Sequence, residues 1–154
     1  MRLILALGLL LSVTLQVDAQ SLWKSINQET LTNQSTPDIA VDQYAVFELD
    51  FSQFQRSLEN TPQEDLTNAS APGKTISLPL PDGEVGRFKI WETSIFHPNT
   101  AATYPQLRSY RGIGLDDKNA AVRMAISPKG VHLAFHTLEG DIYVDPYTAG
   151  NTGL

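Results

Sequence analysis

The sequence predicts a β-rich α+β domain built from antiparallel hairpins in a meander, with one or two short helices. Three turn signals, Pro81-Asp82-Gly83, Ser127-Pro128-Lys129-Gly130 and Glu139-Gly140, each sit between two runs of alternating apolar and polar residues. Between the runs, only short stretches carry apolar residues at helical spacing, so helices add to the sheet rather than build the domain.

The chain has 154 residues, and its first nineteen have a different character from the rest. "MRLILALGLLLSVTLQVDA" places Arg2 before an apolar run and closes on Val17-Asp18-Ala19, with small residues where a signal peptidase reads. The run is too short to anchor in a bilayer, so residues 1–19 read as a cleaved secretory signal and the product as exported, periplasmic or extracellular. Residues 20–147 then form one domain, and 148–154 begin a linker. A formal net charge of −6 argues against nucleic acid as a partner, and no later apolar run suits a membrane after signal removal. The chain has no cysteine, so packing must hold an exported fold without disulfides, and thiolate chemistry is excluded.

From the mature start, "SLWKSINQETL" places Leu22, Trp23 and Ile26 at helical spacing, which suits a short helix or an apolar arm packed on the domain. Residues 32–42 are polar and loop-like. "YAVFELD" alternates, with Ala45, Phe47 and Leu49 expected on one face of a strand. In "DFSQFQRSLEN", Phe51, Phe54 and Leu58 recur as on a helix, and Asp50 is a suitable cap. Residues 61–74 read as a surface loop.

"KTISLPLPDGEVGRFKIWET" is a hairpin with Ile76, Leu78 and Leu80 on one side. "HPNTAATYPQ" supplies a helical turn or two, and "LRSYRGIG" a strand from which Gly112 and Gly114 open a loop through Asp116-Asp117. "AAVRMAI", "VHLAFHTL" and "DIYVDPY" complete the meander, with residues 121–127 pairing with 130–138, and 131–138 with 141–145.

His132 and His136 stand four apart, the spacing a zinc protease uses on a helix. On a strand the same spacing is about 13 Å, too far for two nitrogens that must each lie about 2 Å from one zinc. Leu133 also stands where such a motif needs its glutamate, so both histidines are assigned to the wetter face of a hairpin. No catalytic residue, metal ligand or cofactor is expected in this chain. Arg87, Arg108, Arg111 and Arg123 are scattered and expected to pair with acids on the strands.

In order, "SLWK", "YAVFELD", "LPLPDGEVGRFKIWE", "YPQLRSYRGIGLDD", "AVRMAISPKGVHLAF" and "GDIYVDPY" resemble the N-terminal region of secreted bacterial reprolysin-like zinc metallopeptidase precursors. The resemblance spans Ser21 to Tyr147. It implies a prodomain that assists folding and keeps a metzincin protease latent, with its own downstream catalytic domain as partner. Zinc and the hydrolase motif His-Glu-x-x-His-x-x-Gly-x-x-His would belong to that domain. Some such prodomains silence zinc with a thiolate, which this chain lacks. Others use an aspartate, and Gly112, Gly114, Asp116 and Asp117 form the candidate latency loop. Read locally, the same two acids cap a turn. A free-standing exported module binding protein or glycan is the alternative function.

Overall fold

A computed structural model describes residues 22–27, 31, 44–68, 71–148 and 152–153. The signal assignment for 1–19, the polar stretch 32–42 and most of the expected linker lie outside them.

The chain opens with strand β1 (Trp23–Ile26), which pairs antiparallel with β2 (Val46–Leu49) in a two-stranded ribbon. Helix α1 (Phe51–Ser57) follows at once. Strands β3 (Lys74–Pro79), β4 (Val85–Thr93), β5 (Arg108–Gly114), β6 (Ala121–Ser127), β7 (Gly130–Thr137) and β8 (Gly140–Val144) form a six-stranded sheet, each pairing antiparallel with the next. A second helix, α2 (Pro98–Thr103), lies between β4 and β5 and has no buried residue. The α+β class and its hairpin meander are therefore as the sequence predicts, and β6–β7 and β7–β8 pair over the expected spans.

One face of the sheet is apolar in every strand. Ile76, Leu78, Phe88, Ile90, Tyr110, Val122, Met124, Ile126, Val131, Leu133 and Phe135 are buried at alternate positions, as the pleat requires. The same core contains Phe54 and Leu58 of α1 with Trp23 and Leu49 of the ribbon, so helix and ribbon together cover this face. Trp23 meets Phe54 edge-on, with ring centroids 5.3 Å apart at 72°, an arrangement that adds to simple area burial. Asp50 caps α1, its carboxylate accepting the Gln53 N–H at 2.9 Å.

Three expectations change. Of the two readings of the mature start, the short helix gives way to the packed arm: it is a strand with Trp23 in the core, since four residues fit either period and pairing with β2 decides. On β2, Val46 and Leu49 are buried and Phe47 half-buried, while Ala45, one residue before the strand, is exposed. Gly112 and Gly114 belong to β5 rather than to the loop after it. Neither has positive φ. What they provide is close approach: a Cβ on Gly112 would come within 2.8 Å of both Ile90 and Val122, and one on Gly114 within 2.0 Å of the Asp117 carbonyl oxygen.

Beyond β8 the chain turns back to the ribbon, where the Leu49 N–H donates to the Gly153 carbonyl at 2.8 Å.

Phe54 is fully buried at the junction of helix, ribbon and sheet. Phe54→Ala should lower unfolding free energy by about 3–5 kcal/mol in urea titrations, whereas Gln55→Ala, on the exposed side of α1, should change it by less than about 0.5 kcal/mol.

Candidate functional site

The side chains capable of chemistry lie on the other face of the sheet and in the loop between β5 and β6. On β7, Val131, Leu133 and Phe135 point into the core, so His132 and His136 point out. Across the hairpin, His136 stands opposite Asp141, and its Nδ1 lies 2.8 Å from an Asp141 oxygen. His132 makes the equivalent contact with Asp145, just past the end of β8, at 2.7 Å. Each pair ties β7 to β8 from the solvent side.

With Nδ1 turned to a carboxylate, Nε2 of each ring is the nitrogen that could ligate or move a proton. The neighbours on β6 offer neither ring a partner for such chemistry. On β6, Ala125 stands opposite His132 and Ala121 opposite His136, so neither ring has a third ligand or a nucleophile beside it. Among the described residues, no three His, Cys, Asp or Glu side chains come together as a metal would need. At His132 and His136 the described residues offer no third ligand for zinc.

The acidic loop is closed by its own hydrogen bonds. Gly114 N–H donates to the Ala120 carbonyl at 2.8 Å, Ala120 N–H to Asp117 at 3.2 Å, and Leu115 N–H to Arg87 at 2.9 Å. The missing Cβ of Gly114 leaves room for the Asp117 carbonyl, so the glycine tightens the turn. Asp116 is clamped by Arg87, whose Nη2 lies 2.6 Å away, with Nε and the backbone N–H also donating. These bonds, and then the guanidinium charge, hold the Asp116 carboxyl below the usual carboxylate range. Asp117 is committed only to a local turn, accepting the Asn119 N–H at 2.9 Å. Asp117 thus has the freer carboxylate of the two.

Of the four arginines named above, three pair with acids, but only Arg108 does so with an acid on a strand. Arg87 takes Asp116, Arg108 takes Glu92 through two bonds of 2.8 and 2.7 Å, and Arg111 takes Glu64. Arg123 makes no ion pair among the described residues. Glu64 was hidden in the polar stretch between α1 and β3. The structure lays that stretch beside β4, where Gln63 bridges to Glu92 and Pro72 accepts from the Trp91 indole at 3.1 Å. Lys89 and Arg111 both lie over the Trp91 ring, at 5.1 and 5.5 Å. In the core, the Tyr110 hydroxyl is buried without a hydrogen-bond partner among the described residues, and burial pushes its pKa up to about 12, so it stays protonated.

Compared with protein families, curated proteins and solved structures, the chain matches none. No helix among the described residues is long and apolar enough to cross a membrane.

Two outcomes follow from this geometry. After dialysis the chain should hold far less than one zinc per molecule by metal analysis, and His132→Ala with His136→Ala should leave that content unchanged. Asp116 is more acidic in the fold than in the open chain, so its stabilisation is full above the ordinary carboxylate value of 3.8 and is lost as pH falls through the lower folded value. Urea midpoints for Asp116→Asn should therefore fall below those of the parent at about pH 6, and the gap should close as pH drops below 3.8.

Proposed function

We propose that this chain is the N-terminal prodomain of an exported zinc metalloprotease precursor, assisting the folding of a downstream protease domain and holding it latent until cleavage. The observation that supports it is where the family-like sequence blocks fall. "YAVFELD" covers β2, "LPLPDGEVGRFKIWE" the β3–β4 hairpin, "YPQLRSYRGIGLDD" β5 and its loop, "AVRMAISPKGVHLAF" the β6–β7 hairpin and "GDIYVDPY" β8. The resemblance therefore follows the framework of the sheet and its turns, as expected of a domain that acts by shape and cover. On this reading zinc and catalysis belong to the downstream domain, which would supply a His-Glu-x-x-His helix, and export follows from cleavage after Ala19.

Latency needs either a ligand for that zinc or steric cover of the cleft. Asp117 is the better placed ligand, since Arg87 occupies Asp116. A second reading, a free-standing exported module for protein or glycan, is favoured by the uncovered sheet face that bears Arg123.

Sequencing the reading frame on from Leu154 should reach His-Glu-x-x-His-x-x-Gly-x-x-His, and the purified precursor should hydrolyse a quenched fluorescent peptide only after processing. A frame without the motif, or a precursor as active as its processed form, overturns the proposal. In an uncleavable precursor, Asp117→Ala, which spares the Arg87–Asp116 clamp, should raise hydrolysis with little change in melting. Unchanged latency at equal stability would make the inhibition steric.

A further inference from the structure

The outward positions of β4, β5 and β6 have a charge pattern unlike the rest of the molecule. Opposite the core residues, β4 presents Val85, Arg87, Lys89, Trp91 and Thr93; β5 presents Ser109, Arg111 and Ile113; β6 presents Ala121, Arg123 and Ala125. These positions hold four cations and no acid, in a chain whose net charge is −6.

Arg111 and Arg123 stand directly opposite each other on adjacent strands. Residues so placed have Cα atoms about 4.5–5.5 Å apart, and like charges there repel. Arg111 is relieved by Glu64 and by the face of Trp91. Arg123 has no such relief. On its other side it faces Ala134, and along its own strand it is flanked by Ala121 and Ala125. Its diagonal neighbours are Ser109, Ile113, His132 and His136, none of them acidic. Glu64, which reaches this face from outside the sheet, is taken by Arg111 on the adjacent strand, and the outward acids at the sheet's far edge, Asp141 and Asp145, lie two strands away, each bound to a histidine. The alanines form a low floor around an exposed guanidinium, while Ile113 and Tyr143, 43% and 65% exposed, stand as apolar contacts at either side.

An exposed guanidinium among small side chains offers paired donors to a planar carboxylate. We infer that this face docks an acidic polypeptide segment, with Arg123 taking a carboxylate of the partner and Ile113 and Tyr143 packing beside it. A polypeptide suits the face better than a nucleic acid, because the acids elsewhere on the chain repel a dense phosphate backbone. The inference is independent of the prodomain reading, since it concerns a peptide supplied from outside.

The test is fluorescence anisotropy of a short fluorescein-labelled peptide alternating Glu and Ser, at low salt. Arg123→Gln should weaken binding about tenfold, the loss of one charge-assisted bidentate contact. Arg123→Lys should fall between the two, because it keeps the charge and loses the fork. Ala125→Glu, which puts an acid on the same floor, should abolish binding. Lys129→Gln, which removes a charge at the β6–β7 turn away from this face, should cost about twofold or less. Melting of Arg123→Gln should be no lower than that of the parent, since it removes a like-charge pair. Equal losses for Arg123→Gln and Lys129→Gln would overturn the inference. So would a single-stranded oligonucleotide that binds as tightly as the peptide and loses as much on Arg123→Gln.

Discussion

A six-stranded antiparallel sheet with one apolar face cannot remain in water with that face bare, and its burial under α1 and the β1–β2 ribbon is the constraint on which the domain rests. The cover is small. Helix α1 has only seven residues, far below the length at which an isolated helix is stable, so it depends on the sheet as much as the sheet depends on it. The contact is concentrated in Phe54, Leu58, Trp23 and Leu49, which belong to one core with the inward residues of the strands. The Asp50 cap begins the helix directly after β2, so helix and ribbon arrive on the sheet as a single piece.

Parity then assigns everything else. Because one face must be apolar, each residue between two core residues is turned to the other side. That rule puts His132 and His136 on the hairpin exterior, where Asp141 and Asp145 meet them, and it puts Lys89, Arg111 and Arg123 on one surface. The polar chemistry of the domain thus results from a packing requirement on its opposite face. The two His–Asp contacts also strengthen β8, an outer strand hydrogen-bonded on one side to β7.

Local rules carried most of this fold. Turn residues with alternating flanks located three hairpins of the meander, β3–β4, β6–β7 and β7–β8, and the cap-plus-spacing pattern located α1, because strand parity and helix capping are properties of neighbouring residues. Readings went astray where a distant partner made the decision. Four residues at Trp23–Ile26 are too few to distinguish helix from strand, and β2, some twenty residues on, settled the matter. Gly112 and Gly114 suggested a pliable loop, yet what they accommodate, Ile90, Val122 and the Asp117 carbonyl, is visible only once the strands are aligned. The clamp of Arg87 on Asp116 spans 29 residues and leaves no local trace. For the arginines, a general expectation of pairing held at Arg87, Arg108 and Arg111 and failed at Arg123, whose neighbours in register are Arg111 and Ala134.

The order of elements along the chain has a consequence for synthesis. A ribosome makes the cover before the sheet: Trp23, Leu49, Phe54 and Leu58 emerge while the strands they will rest on are still untranslated. The hairpins that follow can each close as they appear, since every strand of the sheet pairs with its immediate predecessor, and such local closures are fast. The apolar cover, by contrast, must wait for several strands to accumulate. During that interval the early segment is the part of the nascent chain most exposed to holdase chaperones and to mispairing with neighbouring chains, and slowing translation after Leu58 would prolong the exposure.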